Sequence, residues 1–460
     1  MNTPISVVIL AAGLGTRMRS SRAKVLHEAG GLTLVEHVVR LARIVANPEN
    51  IVVVVGHQAD EVVATVAPYD VRTALQAQQK GTGHAVRCAR EALPQDGYLV
   101  VLYGDAPLLA EETLHALVNH QLSSSAGGTV LTALLADPSG YGRIVRAEDG
   151  SVQAIVEHKA ATEEQRKIRE INSGIYCFRS DLLWKYIDAI GTNNPAGEFY
   201  LTDIVELFRA AGQRTDAQVL NDPNELLGIN TRVELAEVDR LFRARKVRDL
   251  MLSGVTIERP ETVTIDMDVH IGPDTVIESF VRLLGQTRIA SFCRVGAGSI
   301  LRNAKLAAEV QVQPYTLIDD STIGEGARVG PFSRLRMHNT VGANCHIGNF
   351  VELKKTTMGE GAKANHLAYL GDATIGGGTN IGAGTITCNY DGTHKHQTTI
   401  GEKVFVGSNS TLIAPVSLAT GSYIAAGSVI TTSVPSRALG IGRARQTNKE
   451  GWADSKKERS

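Results

Sequence analysis

The chain has 460 residues, with 47 Lys and Arg against 48 Asp and Glu for a formal net charge of −1, and five cysteines. That length favours two domains over one core, and the near-neutral balance leaves no overall basic field for nucleic acid or an anionic membrane surface. The cysteines (Cys88, Cys177, Cys293, Cys345, Cys388) form no Cys-x-x-Cys pair, and no apolar run approaches membrane-spanning length, which argues against a zinc knot, a disulfide framework and a membrane span.

In chain order, Ile5–Leu10 reads as a buried strand, and the apolar stretch to Ala12 meets Gly13 too early for a signal peptide. Cytoplasmic residence with reduced thiols is the expectation. Ile51–Val55, Leu99–Leu102 and Val130–Leu135 read as further strands between amphipathic stretches up to about residue 229. The pattern predicts a mostly parallel sheet covered on both faces.

The first strand runs into Ala11-Ala12-Gly13-Leu14-Gly15-Thr16-Arg17-Met18, and Lys24 follows. Glycines there let the backbone approach a ligand, and Arg17 adds a fixed cation for phosphate. The spacing is neither Gly-x-Gly-x-x-Gly nor a P-loop, so a dinucleotide fingerprint is disfavoured. Further stations are Gln76 to His84, Tyr103-Gly104-Asp105, Gly140 to Ile144, Val156 to Lys159, Ile171 to Gly174 and Gly228-Ile229-Asn230. Singly, Asp105 reads as a strand-end cap, Glu157 as part of a solvated charge run, and Asn172 and Asn230 as turn formers. Their order and spacing together favour a site.

From Thr231 to about Leu252 the pattern is helical, with Val233, Leu235, Val238, Leu241, Phe242, Val247 and Leu250 among charged residues. From about Val255 almost to Pro435 the period becomes six. Ile271, Ile277, Leu283, Ile289, Val295 and Leu301 are in phase, as are Ile400, Val406, Leu412, Leu418, Ile424 and Ile430. That period marks a parallel β-helix, in which each hexad builds one flat side and a turn. The phase falters between Arg334 and Thr399, where Arg, Lys, Asn, His and Tyr gather. Interruptions of a solenoid usually map to loops on its binding face. The tail after Gln446 is polar and is expected to lack order.

The run LAAGxGTRM with a downstream Lys resembles the signature of sugar-nucleotide pyrophosphorylases, nucleotidyltransferases acting on sugar 1-phosphates. The resemblance implies that Leu10, Ala11, Ala12, Gly13 and Lys24 meet the nucleotide phosphates, with Arg17 and Lys24 as the catalytic cations. It implies that Gln76, Gly81 and Thr82 read uracil, and that Tyr103, Gly104, Gly142, Glu157 and Asn172 contact the substrate. Asp105 and Asn230 would hold Mg²⁺. One departure is Ala23, where that family usually has Pro before the Lys.

The second half is similar to the hexapeptide-repeat acyltransferases. The two halves together resemble the bifunctional N-acetylglucosamine-1-phosphate uridylyltransferase/glucosamine-1-phosphate N-acetyltransferase family over nearly the whole chain. That implies an α/β fold with a Rossmann-like, doubly wound nucleotidyltransferase domain over 1–229, a helical linker over 230–250, and a left-handed parallel β-helix over 251–460. It implies His366 as proton acceptor, and Arg336, Lys354, Tyr369 and Asn380 on the amino-sugar phosphate. Ala383, Asn389, Tyr390, Ser408, Ala426 and Arg443 would meet acetyl-CoA. A histidine titrating near neutrality can take the proton that a glucosamine ammonium must lose. A lone His in a solenoid is more often a corner residue, but Arg336, Lys354 and Tyr369 nearby favour the base. Implied partners are UTP, glucosamine 1-phosphate, N-acetylglucosamine 1-phosphate and acetyl-CoA, with a homotrimeric assembly and no nucleic acid. Two rival readings are a nucleotidyltransferase whose β-helix only oligomerises, and a non-enzymatic scaffold.

Overall fold

The computed structural model describes residues 4–194 and 196–454. The end of the polar tail, from Ser455 on, lies outside the described residues. Two compact units divide the chain, Met1–Phe242 and Arg243–Ser460.

The first unit is built on one sheet of nine strands: β1 (Ile5–Leu10), β2 (Ile51–Val55), β3 (Arg72–Leu75), β4 (Tyr98–Tyr103), β5 (Gly128–Leu134), β6 (Arg143–Arg146), β7 (Val152–Val156), β8 (Glu170–Arg179) and β9 (Thr215–Val219). The path runs β9-β5-β8-β4-β1-β2-β3, with β6 pairing β8 and β7. Strands β3, β2, β1 and β4 are parallel, as are β5 and β9. The ten-residue β8 enters antiparallel between β4 and β5, and β6 and β7 form an antiparallel pair. The sheet is therefore mixed, with its parallel half in the doubly wound order.

Both faces of this sheet are buried, and alternate residues of one strand serve different layers. Val7, Ile9, Ile51 and Val53 join one apolar cluster, while Val8, Leu10, Val52 and Val54 join the other. This explains why β1 and β2 read as unbroken apolar runs.

The helix Arg232–Leu252 follows, and the division between units falls within it. Val238 and Phe242 are buried, the latter stacked on His37 at 4.1 Å. Val247 and Leu250 join the core of the second unit. Val233 departs from the expected apolar pattern: it stands in the first turn, 80% exposed.

The second unit is a left-handed parallel β-helix with three flat faces of eleven, ten and nine short strands. They begin at Thr256–Ile257 (face one), Thr264–Ile265 (face two) and His270–Ile271 (face three). Successive hexads step around the faces: Ile271 on three, Ile277 on one, Leu283 on two, then Ile289 back on three. All twelve in-phase aliphatic residues point inward and are at most 8% exposed. Where the phase breaks, Ile386–Cys388 on face two is followed by a loop, closed by a Tyr390–Lys395 bridge, before Thr398–Ile400 resumes on face three. Among the described residues, no helix is long and apolar enough to cross a membrane.

Candidate functional site

In the first unit the strand order reverses at β1: the chain passes from β1 to β2 on one side, while β4 lies on the other. A crevice at the carboxyl ends of such strands is where doubly wound sheets take ligands. Leu10 to Gly13 leave β1 there, and Tyr103 to Asp105 leave β4. The Gly104 N–H donates to the Leu10 carbonyl at 3.0 Å, joining the two loops. A cleft of about 270 Å³ is lined by Leu10, Ala11, Ala12, Gly13, Lys24, Gln76, Gly81, Thr82, Tyr103 and Asp105. Gln79, which lies within the Gln76 to His84 station without a role of its own, also lines it, as does Glu198, which went unread in the sequence. Glu198 arrives because the Phe199 N–H donates to the Lys80 carbonyl at 2.8 Å, a long-range pairing that no local motif signals.

The charged groups converge. Lys24 is ion-paired with Asp105, and its Nζ donates to Asn230 Oδ1 at 3.2 Å. Arg17 Nη2 donates to the same oxygen at 2.7 Å. The Ile229 N–H bonds the Asp105 carbonyl at 3.1 Å, bringing Asn230 beside Asp105. Glu234 then fixes Asn230 from behind, accepting from its N–H at 2.6 Å and from Thr231 N–H at 2.7 Å, while Thr231 Oγ1 accepts from Glu234 N–H at 3.2 Å. This is a capping box. Its Thr-x-x-Glu signature stood in the sequence, but a positioning role was missed.

Gly15 sits at φ +62°, and a Cβ there would lie 2.6 Å from the Lys24 Cβ. The loop therefore needs glycine both for its left-handed turn and to let the Lys24 stem close in. Ala23 holds φ −55°, ψ 140°, which a proline would also adopt. Its N–H, which proline lacks, donates to Gln58 Oε1.

The sugar stations are also brought together. Asn172 N–H donates to the Gly142 carbonyl at 2.9 Å, and a Cβ on Gly142 would sit 3.5 Å from Glu157 Oε1. Glu157 lines an adjoining cavity of about 380 Å³ with Tyr200 and Asp203. Burial, then the Asp203 charge, raises its carboxyl above the ordinary range. Burial, with Asp105 and Glu157 adding to it, pushes the Tyr103 phenol up, so that hydroxyl stays protonated as a donor.

In the second unit, His366 ends a strand of face one, and its Nδ1 lies 3.0 Å from Asn349 Oδ1, its register partner on the preceding coil. The amide oxygen can only accept, so Nδ1 donates to it, and in the neutral ring that leaves Nε2 as the nitrogen with the free lone pair. Asn349 was not singled out from sequence, since the coil spacing that stacks it on His366 is not a local motif. Across face two, Arg336 and Lys354 stack in register, as do Glu352 and Tyr369. Arg336 Nε donates to Glu352. Lys354, only 5% exposed, reaches Asp372 Oδ2 at 3.3 Å, and Asn389 donates to the same oxygen.

Ala383, Ser408 and Ala426 form one column, each just before a left-handed corner residue: Gly384, Asn409 and Gly427. Asn409 N–H donates to Ala383 O at 2.7 Å, and Gly427 N–H to Ser408 O at 2.8 Å. His366, preceding the left-handed Leu367, occupies the same step one coil earlier. Asn380 lies on face one between Lys363 and Phe405. Tyr390 is exposed in the loop, its hydroxyl donating to Gly392 O. Arg443 is exposed beyond the last coil, and no hydrogen bond joins it to this cluster among the described residues.

Residues 7–171 match the MobA-like NTP transferase domain family, and 397–432 match the bacterial transferase hexapeptide family (six repeats). The bifunctional protein GlmU of Solibacter usitatus is 54% identical over 99% of this chain and 98% of its own. That of an Anaeromyxobacter strain is 51% identical over 99% and 93%, and that of Acinetobacter baylyi 45% over 97% and 98%. The chain belongs to the bifunctional GlmU family. It is a bifunctional transferase of UDP-N-acetylglucosamine synthesis. One half moves an acetyl group from acetyl-CoA to glucosamine 1-phosphate. The other joins N-acetylglucosamine 1-phosphate to UTP and releases pyrophosphate.

Proposed function

We propose that the two clusters are the two active sites, each complete in its chemistry and distinct in its residues. The reading of the first rests on Arg17, Lys24, Asp105 and Asn230 meeting around one ammonium and one amide oxygen. Phosphoryl transfer of this type needs positioning and charge neutralisation rather than a covalent nucleophile. Arg17 and Lys24 hold the UTP phosphates and meet the charge that builds as pyrophosphate leaves. Gln76 and Gly81 read the base, while Gly142, Glu157 and Asn172 hold the amino sugar so that its phosphate oxygen faces the α-phosphorus.

Mg²⁺ fits the donor set. Among the described residues no group of three His, Cys, Asp or Glu could hold a metal alone. One carboxylate and one amide oxygen, Asp105 and Asn230, suit an ion that takes few protein ligands and keeps waters and substrate phosphates. When bound, it supplies charge neutralisation to the phosphate oxygens.

In the second site the glucosamine ammonium gives its proton to His366 Nε2, and the freed amine attacks the thioester carbonyl directly. The C–S bond breaks, CoA leaves as its thiol with the proton returned by the imidazolium, and the remaining proton on nitrogen passes to water. Asn349 holds the ring in the base-competent tautomer. Arg336 and Lys354 bind the sugar phosphate, with Tyr369 and Asn380 on the sugar. Acetyl-CoA lies along Ala383, Ser408 and Ala426, with Asn389, Tyr390 and Arg443 closing on it. The enzyme is cytoplasmic and works as a homotrimer. An exposed aromatic ladder supports that assembly: Tyr315, Phe332 and Phe350 stack at 5.3 and 5.6 Å on one edge of the prism.

Calorimetry with UTP and Mg²⁺ tests the first assignment. Binding that depends on Mg²⁺ in the wild type and loses that dependence in Asp105→Ala is expected. Equal Mg²⁺ dependence in both proteins would remove Asp105 and Asn230 as the metal site.

A further inference from the structure

His84 is a half-buried histidine that the proposed chemistry does not use. It sits in the helix Thr82–Cys88, directly behind Gln76. Gln76 is 3% exposed, and its Nε2 donates to the Gly81 carbonyl at 3.1 Å while lying 2.9 Å from His84 Nδ1. A carbonyl can only accept, so the Gly81 oxygen requires the NH₂ end of the amide on this side. Nδ1 must then accept the second N–H, which places the ring proton on Nε2, facing Cys88 Sγ at 4.0 Å. Both amide hydrogens are thus used on the protein side, and Oε1 is the end left for the cleft that Gln76 lines.

We propose that His84 is a positioning residue that sets the base specificity of the uridylyl site by locking the Gln76 amide in one orientation. The inference rests on the reading of Gln76 and Gly81 as the base-contacting pair. Uracil presents an N3–H donor beside carbonyl acceptors. An acceptor from Gln76 Oε1 and a donor from the Gly81 backbone N–H, which makes no hydrogen bond among the described residues, match that edge. Cytosine presents an N3 acceptor beside an amino donor, the reverse pattern. A turned amide would offer its NH₂ to cytosine N3, so the orientation of this one group discriminates the bases. A buried polar group left unpaired by the wrong base is a strong source of rejection.

The surroundings of His84 suit a neutral acceptor. Lys80 precedes its helix, Arg87 and Cys88 share that helix, Gln76 faces it from the end of β3, and the Phe199 ring covers it with centroids 6.3 Å apart. Burial first, then the charges of Arg87 and Lys80, hold the imidazole below the ordinary histidine range.

The test measures kcat/KM for UTP and CTP in full-length variants, with thermal unfolding recorded for each. His84→Phe keeps the ring and removes the acceptor; the UTP over CTP ratio is expected to fall at least about tenfold, mainly through the KM for UTP. His84→Asn places an amide oxygen near the position of Nδ1 and should restore most of the ratio. An unchanged ratio in His84→Phe, or equal losses for both nucleotides, would overturn the proposal, because a packing role would harm both alike. The wild type gives a readout free of folding risk. Its ratio should drop as pH falls through the His84 titration followed by NMR, where Nδ1 becomes a donor; a flat ratio across that titration contradicts the proposal. Gln76→Ala separates the two levels. If it leaves UTP use untouched, the base-reading assignment itself fails; if it impairs UTP use while His84→Phe does not alter the ratio, only the role of His84 fails.

Discussion

Lys24 and Asp105 form an ion pair inside the nucleotide cleft, their side chains 15% and 20% exposed. The same ammonium reaches Asn230 from the far end of the unit. Three segments separated widely in sequence therefore meet at one cation, and the loop after β1 is tied to the loop after β4. Desolvation offsets much of the attraction in a largely buried pair, so the value of this one is positional.

Asp105→Ala is expected to lower uridylyl transfer by at least about a hundredfold, the scale of losing a preorganised charged contact. Acetyl transfer by the same protein should stay within about twofold, since no group of the second cluster lies in the first unit. The two half-reactions assayed on one preparation check this.

His366→Ala should reduce acetyl transfer by about 10² to 10⁴, the usual range for a positioned general base, and spare uridylyl transfer. Asn349→Ala should cost less, about tenfold to a hundredfold, because the base remains and only its tautomer and orientation loosen. Steady-state acetylation rates for both variants give the comparison; equal rates in Asn349→Ala and wild type would remove its orienting role.

Gly371→Ala offers a finer probe. A Cβ there would lie 2.5 Å from the Tyr369 hydroxyl and 2.9 Å from Asn389 Nδ2. Both are ends of movable side chains, so the coil should fold while the two groups are displaced. Unfolding temperature should change little, and the KM for glucosamine 1-phosphate or acetyl-CoA should rise.

Gly15→Ala combines two penalties, a left-handed backbone and contact with the Lys24 stem. The expected cost is about 1–2 kcal/mol of local strain, relieved by moving Lys24. Uridylyl transfer should fall, with the unfolding transition of the whole protein barely shifted. A fully active Gly15→Ala protein would contradict the requirement for this close approach.

Much of the architecture was legible because its physics is periodic. Each hexad of the β-helix spends one aliphatic residue on the interior, so Ile271 through Leu301 declare the faces directly. Chain direction is not written that way. A strand buried on both sides reads as an apolar run whether parallel or antiparallel, which is why the antiparallel entry of β8 was not expected. The helix Arg232–Leu252 was legible as a helix, yet Val233 was counted with its buried stripe because pattern alone cannot tell that its first turn faces solvent. The candidate site was legible where glycines and charges cluster locally, as from Gly13 to Arg17. Asn349 and Glu198 were not, because register across coils and a distant backbone pairing bring them in. Glu234 was not singled out either, since its hold on Asn230 depends on the Ile229–Asp105 hydrogen bond.

The most direct measurement supplies the intact protein with glucosamine 1-phosphate, acetyl-CoA, UTP and Mg²⁺, omits each in turn, and follows UDP-N-acetylglucosamine and pyrophosphate. Two sites working in sequence predict product only when all four are present, and predict that N-acetylglucosamine 1-phosphate restores synthesis when acetyl-CoA and glucosamine 1-phosphate are left out. Synthesis of UDP-N-acetylglucosamine that persists without UTP or Mg²⁺, or a failure of free N-acetylglucosamine 1-phosphate to restore it, would contradict the account.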